Sequence, residues 1–531
     1  MSHIRSATRR ALMACAITSV ICIGTAAAQN VVVAIDPGSA ESNLYWETIG
    51  GLIPPNMQSL VGNDPVTGVY DTSALAESWE HNDDFTRWTF RIKPDAVFSG
   101  DWGPVTAADV VHSAALHVGD DSRLSGIQSL RAATVTAEDD RTVHFDLPAP
   151  DPDFLFLHGG RAVLVIYSKA QYDAEGLDGY VRNPAGSGPF TFVSRDLGNT
   201  LNYAVNKDHW SGMSADYDTL ELRFVGEAAT RLAMLLAGEA DIASLPRELQ
   251  PEAEGQGHQT ISSAQASVQT ALVMSGLFMD PEGAGAQMNL PWQDIRIREA
   301  MNRALDREAM IDILYEGRAE PLVVFSMDPR FDGYVPELAG RLEAEYGFDP
   351  ERARELLAEA DYPAAFPNPV IPIAATALGG NPEFGLMAEL VQAMFADIGL
   401  QTEIREMDWP TLQNARLGFA ADFVHPMRNA PVRPNGIGVL ASYTEQLSPA
   451  YSIGSSELNA MGDALIQTNS LDERATLIRD MFTYIFDNHV HMPIATISAE
   501  IVVNPERVAG WTFPGSSSSG FSHFELIDTA D

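Results

Sequence analysis

Several short stretches of the chain alternate apolar and polar positions, which predicts β-strands. Residues 86–92 place an apolar side chain at every second position, and residues 143–147 and 190–192 repeat this alternation. A period of two puts the apolar side chains on one face of a strand. Residues 31–35 predict a first strand, and a Gly-Ser-Gly-Pro turn at residues 186–189 precedes the strand that begins at Phe190.

Other segments have the period of a helix. Residues 295–315 predict one long helix, with Ile297, Met301 and Leu305 facing inward and Glu299 paired with Arg303 four residues later. Residues 456–487 predict another single helix. Residues 350–360 follow an Asp-Pro start, which is typical of an N-cap and a first helical turn.

Two helices end at a glycine and lead directly into a strand. Residues 230–237 stop at Gly238 before the strand 240–243. Residues 384–398 stop at Gly399 before the strand 400–404, and their inward face is predicted to be Leu386, Leu390, Met394 and Ile398. Such units favour α/β lobes with largely parallel sheets.

The first 28 residues have the three-part pattern of a secretory signal peptide. Arg5, Arg9 and Arg10 precede an apolar run over residues 11–24, and small residues lead to a cleavage site near Ala28. The run is too short to span a bilayer. The sequence therefore predicts an exported, periplasmic protein, by either the general or the twin-arginine route.

Composition narrows the function classes. The 531 residues carry 33 Lys+Arg against 72 Asp+Glu, a net charge of −39, which disfavours binding to nucleic acid. The only two cysteines, Cys15 and Cys22, lie in the predicted signal peptide. We therefore expect no thiol catalysis, no cysteine-ligated zinc and no disulfide in the exported chain.

Enzyme and cofactor motifs are missing from the sequence. There is no G-x-S-x-G elbow, H-E-x-x-H pair, Walker A loop or G-x-G-x-x-G turn. His489 and His491 could share one strand face, as metal ligands do, but no third ligand is near them in sequence, which favours a buried or edge strand. We expect no enzyme activity, no cofactor and no metal site.

Seven stretches, in order and with matching spacing, resemble one family along nearly the whole exported chain, the family 5 extracellular solute-binding proteins of ABC importers (the dipeptide, oligopeptide and nickel type). They are residues 75–80 (LAESWE), 88–92 (WTFRI), 105–111 (VTAADVV), 186–190 with 206–210 (GSGPF, NKDHW), 229–231 with 238–242 (ATR, GEADI), 294–302 with 306–307 (DIRIREAMN, DR) and 346–351 (YGFDPE).

The resemblance implies an α/β, bilobal periplasmic-binding-protein fold of the class II-like type, with a ligand cleft between two lobes. Lobe I would comprise residues 29–275 plus 497–531, with an extra subdomain at about 51–182. Lobe II would comprise residues 276–496. The chain would cross between the lobes twice, with hinges near residues 267–275 and 494–501. Hinged closure of this kind needs only a few flexible residues.

The resemblance also implies a ligand loop, in which this sequence departs from the family. Peptide-binding members place a Gly-Trp loop with an aspartate that anchors the peptide amino terminus after the strand matching residues 421–423. This chain has HPMRNAPVRP at residues 425–434, with no Gly-Trp and no acidic residue. Arginine can hold a carboxylate, sulfonate or phosphate by two hydrogen bonds. Arg428 or Arg433 is therefore a candidate anion ligand, with His425 and Asn429 beside them; pairing of both arginines with surface acids is the equally weighted alternative.

Further ligand candidates rest on position alone. Asn43, Tyr45 and Trp46 follow the first strand, where open α/β sheets bind ligands, although core packing explains them equally well. Ser275 lies at the predicted crossover, and Trp409 follows the strand 400–404.

These observations predict a receptor that captures a small organic solute, a short peptide or a related compound, and delivers it to the transmembrane subunits of an ABC permease. We expect it to act as a monomer. The alternatives are a receptor for a non-peptide anion, an opine or an oligosaccharide, a secreted hydrolase on the same scaffold, and a chemosensory or chaperone-like binding protein.

Overall fold

The computed structural model of the protein describes residues 29–36, 43–47, 54–122, 124, 127–158, 164–278, 289–376, 383–418, 420–429, 434–444, 453–514 and 521–530. The predicted signal peptide and Arg433 lie outside these residues.

The described residues form strands and helices in alternation. The strands are β1 Asn30–Ile35, β2 Gly62–Asn63, β3 Tyr70–Asp71, β4 Ala76–His81, β5 Arg87–Ile92, β6 Thr134–Ala137, β7 Thr142–Asp146, β8 Phe190–Asp196, β9 Thr200–Val205, β10 Thr219–Phe224, β11 Ile242–Ala243, β12 Gln259–Met274, β13 Leu277–Phe278, β14 Glu320–Pro321, β15 Ile371–Thr376, β16 Thr402–Met407, β17 Val424–Asn429, β18 Ile453–Gly454, β19 His491–Val503, β20 Val508–Trp511 and β21 Ile527–Thr529. The helices are α1 Ala107–His117, α2 Gln128–Ala132, α3 Lys169–Glu175, α4 Leu177–Arg182, α5 Ala228–Leu236, α6 Gln250–Gly255, α7 Ile295–Arg303, α8 Arg307–Tyr315, α9 Glu337–Tyr346, α10 Pro350–Glu359, α11 Glu383–Asp397, α12 Trp409–Leu417, α13 Asn435–Tyr443, α14 Ser456–Gln467 and α15 Leu471–Asp487.

One mixed sheet of eleven strands is the centre of the fold. Its order is β16-β15-β17-β12-β19-β11-β1-β10-β9-β8, and β14 pairs with β19 beside this path. The two longest strands, β12 and β19, are antiparallel neighbours in the middle, and we refer to them as the crossing strands. The chain passes along one and returns along the other, so they must run in opposite directions.

The prediction of largely parallel sheets is therefore wrong. Parallel pairing is confined to β1 with β10 and β11, β15 with β16 and β17, and the short pair β13–β18 within the described residues. A separate four-stranded sheet, in the order β4-β5-β7-β6, is antiparallel throughout. Strands β4 and β5 form one hairpin and β6 and β7 form another, with α1 and α2 between them. Antiparallel neighbours can be joined in this way without a crossover connection.

The three largest hydrophobic cores of the described residues lie around these sheets. The largest packs helices α7 to α11 and α13 to α15 against β15, β17 and the crossing strands. A second fills the four-stranded sheet with aromatic side chains such as Trp88, Phe90 and Phe145. A third joins β1, β8, β9 and β10 to the C-terminal strands β20 and β21. Strands β12 and β19 contribute side chains to both the largest core and the third core. They therefore lie where these two cores meet.

Both predicted long helices are divided in two. Residues 295–315 form α7 and α8, and the Asp306 side chain accepts a hydrogen bond from the Ala309 N–H at 2.9 Å. Residues 456–487 form α14 and α15, with Ser470 in the same role at the second start. A side-chain oxygen that accepts from the backbone two or three residues ahead starts a new helix, so the long-helix predictions are wrong.

The predicted inward face of α11 is offset. Leu386 is 44% exposed, whereas Phe384, Met387, Val391 and Phe395 are buried. Contact of α11 with β15, β16 and α8 turns this side of the helix toward the sheet. The predicted glycine cap is confirmed, because Gly399 has a φ of +93° in the left-handed region that glycine adopts without strain.

Candidate functional site

The crossing strands β12 and β19 lie in the middle of the large sheet and connect its two halves. Residues on these strands therefore lie between the two halves. The hydrogen-bond register of the two strands is interrupted between Ser262 and Ala266, between Ala266 and Val268, and between Thr270 and Ala271. Such irregularities bend a strand and locally release its pairing. The crossing strands therefore run without a break from one half of the sheet to the other, and they bend where the two halves meet.

A buried carboxylate on β19 binds two arginines, one from each of the two predicted lobes. The Glu500 side chain is only 5% exposed, and its Oε2 accepts from Arg247 Nε at 2.7 Å. Its other oxygen lies 3.4 Å from Arg318 Nε. Gln250, at the start of α6, also donates to Glu500 at 3.3 Å. Two cations satisfy one carboxylate here, which is how a charge is tolerated in a buried position.

Tyr315 connects this ion cluster to the predicted ligand strand. The Arg247 guanidinium lies 5.3 Å from the centre of the Tyr315 ring, and the Tyr315 hydroxyl contacts Thr270 Oγ1 at 3.3 Å. Thr270 pairs directly with Arg428 across β12 and β17, so both side chains are on the same face of the sheet. Arg428 therefore lies on the face of the sheet that Tyr315 and Arg247 cover.

The electrostatic surroundings of Arg428 are mixed. Burial lowers its pKa below the usual arginine value; Glu383 and Tyr315 oppose this shift, and Arg247 adds to it. A half-buried guanidinium with a second cation nearby gains more from an anionic partner than one at an open surface. The arrangement suits a carboxylate or a similar group.

The structure brings together two of the predicted site residues, Ser275 and His425. Ser275 Oγ lies 3.2 Å from His425 Nδ1, and the Ser275 carbonyl accepts from Trp292 Nε1 at 3.1 Å. Ser275 and His425 are fully buried. Burial lowers the pKa of His425 well below its usual value, and Arg416 and His491 act in the same direction. The imidazole is therefore neutral at ordinary pH and enclosed by protein.

His425 and Arg428 lie in a strand, whereas the sequence predicted a ligand loop from residue 425 onwards. Strand β17 runs from Val424 to Asn429 and pairs antiparallel with Met274–Gln269 of β12. That prediction is wrong for residues 425–429, because pairing with a crossing strand satisfies their backbone groups. Asn429 ends the strand opposite Gln269, and Arg433 is outside the described residues.

Asn43, Tyr45 and Trp46 belong to a different cluster. Asn43 Nδ2 donates to the Val181 carbonyl at 2.9 Å, and the Tyr45 N–H donates to the Tyr167 hydroxyl at 3.0 Å. The rings of Trp46 and Tyr167 are 5.0 Å apart, and all three predicted residues are at most 5% exposed. In this structure they attach the segment after β1 to α4 and to the residues before α3.

Trp409 is the first residue of α12, after the N-cap Asp408. Its half-buried ring packs against the small core of Ala374, Leu412 and Phe423. This contact is the packing role that a tryptophan at the start of a helix commonly has.

Sequence reasoning missed Glu500, Arg247 and Tyr315. The Arg247–Glu500 pair is separated by 253 positions, and no local pattern connects such residues. One signal was available, because Glu500 is a lone carboxylate in the apolar run 494–503, where a charge needs a buried partner.

The described residues contain neither a candidate metal-binding cluster nor a candidate membrane-spanning helix. No group of three or more histidine, cysteine or acidic side chains is placed there to hold a metal ion. Within the same residues, no helix is both long and apolar enough to cross a membrane. His489 and His491 are buried, and burial lowers the pKa of each to about 3.

Comparison with known sequences decides the family. The profile described as "Bacterial extracellular solute-binding proteins, family 5 Middle" matches residues 72–431, more than half of the chain. The chain belongs to this family. The resemblance found in the sequence is thereby confirmed, and so is the general function of the family, solute binding for ABC transporters.

Individual relatives differ in their named ligands. Heme-binding protein A of Haemophilus influenzae is 27% identical over 470 residues, covering 82% of this chain and 81% of the relative. Di/tripeptide-binding protein 2 of Pseudomonas aeruginosa is 27% identical over 359 residues, and the match spans 63% of each protein. Membership of the family therefore leaves the ligand of this chain open.

A solved structure confirms the fold. HbpA2 from Haemophilus parasuis superposes with a TM-score of 0.73 at 20% identity, covering 94% of this chain and 99% of that one. The bilobal α/β fold predicted from the sequence is confirmed at this level.

Proposed function

We propose that this family 5 protein is a periplasmic receptor that captures a short peptide between lobes I and II and delivers it to the transmembrane subunits of an ABC permease. Lobes I and II keep the boundaries predicted from the sequence, with cleavage of the signal peptide near Ala28 and a monomeric receptor. The observation that carries the proposal is the pair of crossing strands, whose bends lie between two separately packed cores.

Closure follows from this arrangement by simple thermodynamics. A solute that contacts both lobes binds the closed form more tightly than the open form, and it shifts the population toward closure by that difference in affinity. Glu500, with arginine partners on both sides, lies within the segment that has to bend. Residues 267–275 and 494–501 are the proposed hinges.

Peptide is the favoured ligand class for two reasons. Several curated relatives are named as peptide-binding proteins, among them Di/tripeptide-binding protein 2. A free peptide also carries a terminal carboxylate, which the Arg428 guanidinium could hold by two hydrogen bonds. Asn429 and Arg433 would contribute from the following residues of the same segment.

The second candidate is a non-peptide anion held by Arg428 and Arg433, such as an opine-like acid; an oligosaccharide lacks the charge to exploit these arginines. The desolvated position of Arg428 near Arg247 is the observation that favours it. A peptide and a non-peptide anion would both bind Arg428 through an anionic group. They differ in the rest of the molecule.

A hydrolase has less support than a receptor. The only serine–histidine pair among the predicted site residues, Ser275 and His425, is fully buried and cannot contact a solute in this structure. Binding without covalent change is also the general function of the family.

The deciding experiment is mass spectrometry of the solute that remains bound to protein purified from its own periplasm, followed by calorimetry with a panel of di- and tripeptides. We expect a peptide mixture in the first step and saturable one-to-one binding in the second. Recovery of one anionic compound supports the second candidate. Steady turnover of a bound peptide, or no binding of any peptide or anion, contradicts the receptor proposal.

Variants at Arg428 test the contact itself. Arg428→Ala should weaken peptide binding at least tenfold, equivalent to about 1.4 kcal/mol, and Arg428→Lys should lose less because it keeps the charge. Arg405→Ala is the matched control, since Arg405 lies on the neighbouring part of the sheet and pairs with Glu403 and Asp422 at the surface. Equal affinity of both alanine variants and the wild type would exclude Arg428 as a ligand contact.

A further inference from the structure

A second contact between the two predicted lobes lies away from the crossing strands. Arg474, at the start of α15 in lobe II, forms an ion pair with Asp153 of the extra subdomain of lobe I. The two residues are 321 positions apart in the chain. The Arg474 side chain is 5% exposed and that of Asp153 is 14% exposed, so the pair is buried where the lobes meet.

The geometry around Arg474 is closely fitted. On its own lobe, Nε lies 3.3 Å from Asp332 Oδ2. A methyl group added at Gly436, in the first turn of α13, would lie 2.0 Å from an Arg474 terminal nitrogen, so a larger residue there would displace this end of the guanidinium. Asn435, the preceding residue, donates to the Asp332 carbonyl at 3.0 Å. Lobe II therefore holds this guanidinium in a preformed position.

The charges at this contact do not balance. Asp153 and Asp151 come from the extra subdomain and Asp332 from lobe II, and one guanidinium faces all three carboxyl groups. Tyr70, which is half-buried beside Asp153, adds no positive charge. When the lobes separate, water reaches Asp153 and Asp151, and Asp332 moves away from them. Asp332 is 38% exposed, but Asp153 is largely shielded from water, so bringing three carboxylates and one cation together favours the binding of a proton at Asp153.

A neighbouring contact supports a joint closing movement. The Gln265 side chain, on crossing strand β12, donates to the Pro65 carbonyl at 3.0 Å. The turn after Pro65 also contacts Arg330 of lobe II, whose side-chain carbon lies 3.5 Å from where a Cβ would be on Gly68. The extra subdomain therefore contacts both a crossing strand and lobe II.

We propose that the Asp153–Arg474 contact is a latch between the lobes and that its closure takes up one proton, so that mild acid favours the closed receptor. This inference rests on the proposed closure of lobes I and II around a solute. It adds a regulation of the same cleft, namely dependence of closure on the pH of the periplasm.

The direction of the effect follows from linkage. In this structure, where the Asp153–Arg474 contact is formed, burial raises the pKa of Asp153 to about 7; Arg474 opposes the shift, while Asp151 and Asp332 add to it. Burial also raises the pKa of Asp151. With water around it in the open form, Asp153 should titrate near 4, as an ordinary aspartate does. The contribution of the proton to closure is therefore complete below about pH 4 and is lost as the pH rises through about 7.

The test measures the distance between the lobes directly. Val69, which is 62% exposed on the extra subdomain, and Leu471, which is 53% exposed at the start of α15, provide label positions. Val69→Cys and Leu471→Cys carry the spin labels, and the only native cysteines, Cys15 and Cys22, lie in the predicted signal peptide, which the exported protein has lost. Pulsed electron resonance on samples from pH 8 to pH 5 then gives the ratio of closed to open molecules.

We expect this ratio to rise about tenfold between pH 8 and pH 6 in the otherwise unchanged protein. Asp153→Asn mimics the protonated side chain, so it should give a high closed fraction that does not vary with pH. Asp83→Asn, at an exposed acid of the same subdomain, should behave like the parent. A parent ratio that is independent of pH, or an Asp153→Asn variant that keeps the parent's pH response, overturns the latch.

Addition of trialanine separates this inference from the proposed function. If trialanine shortens the distance but pH does not change it, the latch is wrong and the receptor proposal stands. If pH shortens the distance but neither trialanine nor the peptide panel binds, the latch stands and the peptide proposal fails.

Discussion

Several histidine side chains of this protein are buried without a counter-charge, which makes them a sensitive feature of its stability. Among the described residues, neither ring nitrogen of His158 has a hydrogen-bond partner, and its ring lies 4.7–4.9 Å from those of Phe90, Phe145 and Phe154. Burial lowers the pKa of His158 to about 3. The same cause lowers the pKa of His117 to about 4.

These shifts predict loss of stability in mild acid. A histidine with a folded pKa of about 3 and an unfolded value near 6.5 binds its proton first in the unfolded chain, so its contribution is complete above pH 6.5 and is lost as the pH falls toward 3. Each such histidine should reduce the free energy of unfolding by about 1.4 kcal/mol per pH unit within that window. Urea denaturation between pH 7 and pH 4 measures this slope.

His158→Phe isolates one of the protons. It replaces the imidazole by a phenyl ring, which suits the aromatic surroundings, so we expect the free energy of unfolding at pH 7 to change by about 1.5 kcal/mol at most. The slope of the free energy of unfolding against pH should fall by the contribution of one proton, about 1.4 kcal/mol per pH unit. His81→Gln, at an exposed position, is the control and should leave the slope unchanged. An unchanged slope in His158→Phe would show that this histidine binds a proton as readily in the folded protein as in the unfolded chain.

At the scale of elements, turns and helix starts decide how the subdomain attaches. The Gly-Ser-Gly-Pro turn before β8 lies against residues 54–58, and the Gly188 N–H donates to the Asn56 carbonyl at 2.9 Å. A Cβ on Gly186 would lie 1.7 Å from the same carbonyl oxygen. Neither backbone can move without breaking the contact between β8 and the subdomain.

Gly186→Ala should therefore destabilise the protein by about 3 kcal/mol or more, because a backbone oxygen cannot yield as a flexible side chain would. Gly226→Ala is the matched control, since no described residue other than its two chain neighbours has an atom within 4 Å of its Cβ position. Urea midpoints of the two variants give the comparison. A Gly186→Ala protein as stable as Gly226→Ala would show that the turn can move away from Asn56.

Helix and strand positions were predicted more accurately than their ends. The apolar alternation at residues 87–92 and the Asp349 cap of α10 both match the structure, because each depends on neighbours in sequence. The breaks at Asp306 and Ser470 were missed although both residues are good caps. Apolar residues continue at helical spacing on both sides of each break, because the following helix also has an apolar face that packs inward. The pattern therefore does not show where one helix ends and the next begins.

At the scale of the whole molecule, the crossing strands depend on one buried charge cluster. Glu500 lies between Arg247 and Arg318, and loss of its charge would leave Arg247, whose side chain is 17% exposed, without its closest anion. Removal of one partner of a buried ion pair is costly because the other charge remains desolvated.

Glu500→Gln should lower the free energy of unfolding by about 3 kcal/mol. Glu403→Gln removes a carboxylate of similar type from an exposed pair with Arg405 and should cost at most about 1 kcal/mol. Chemical denaturation of both variants tests the difference. Equal effects would mean that water already reaches the Glu500 cluster.

The candidate site was predicted only in part. The sequence placed Arg428 in the ligand segment, and the structure puts it opposite Thr270 on a crossing strand. Ser275 and His425 were proposed separately, yet they contact each other in the interior. Tyr45 and Trp46 pack in an aromatic cluster that their neighbours in sequence do not reveal. Burial depends on which distant segments cover a residue, so a single sequence does not determine it.

The sequence by itself determined the family, the α/β character and the absence of cysteine beyond residue 28, because ordered motifs, local periodicity and composition are all read along the chain. Only the tertiary structure decided that the central strands are antiparallel, that Glu500 binds arginines from both sides, and that Arg474 meets Asp153 across 321 positions. These contacts join residues that are hundreds of positions apart. Their partners are selected by packing and desolvation in three dimensions, which no local pattern records.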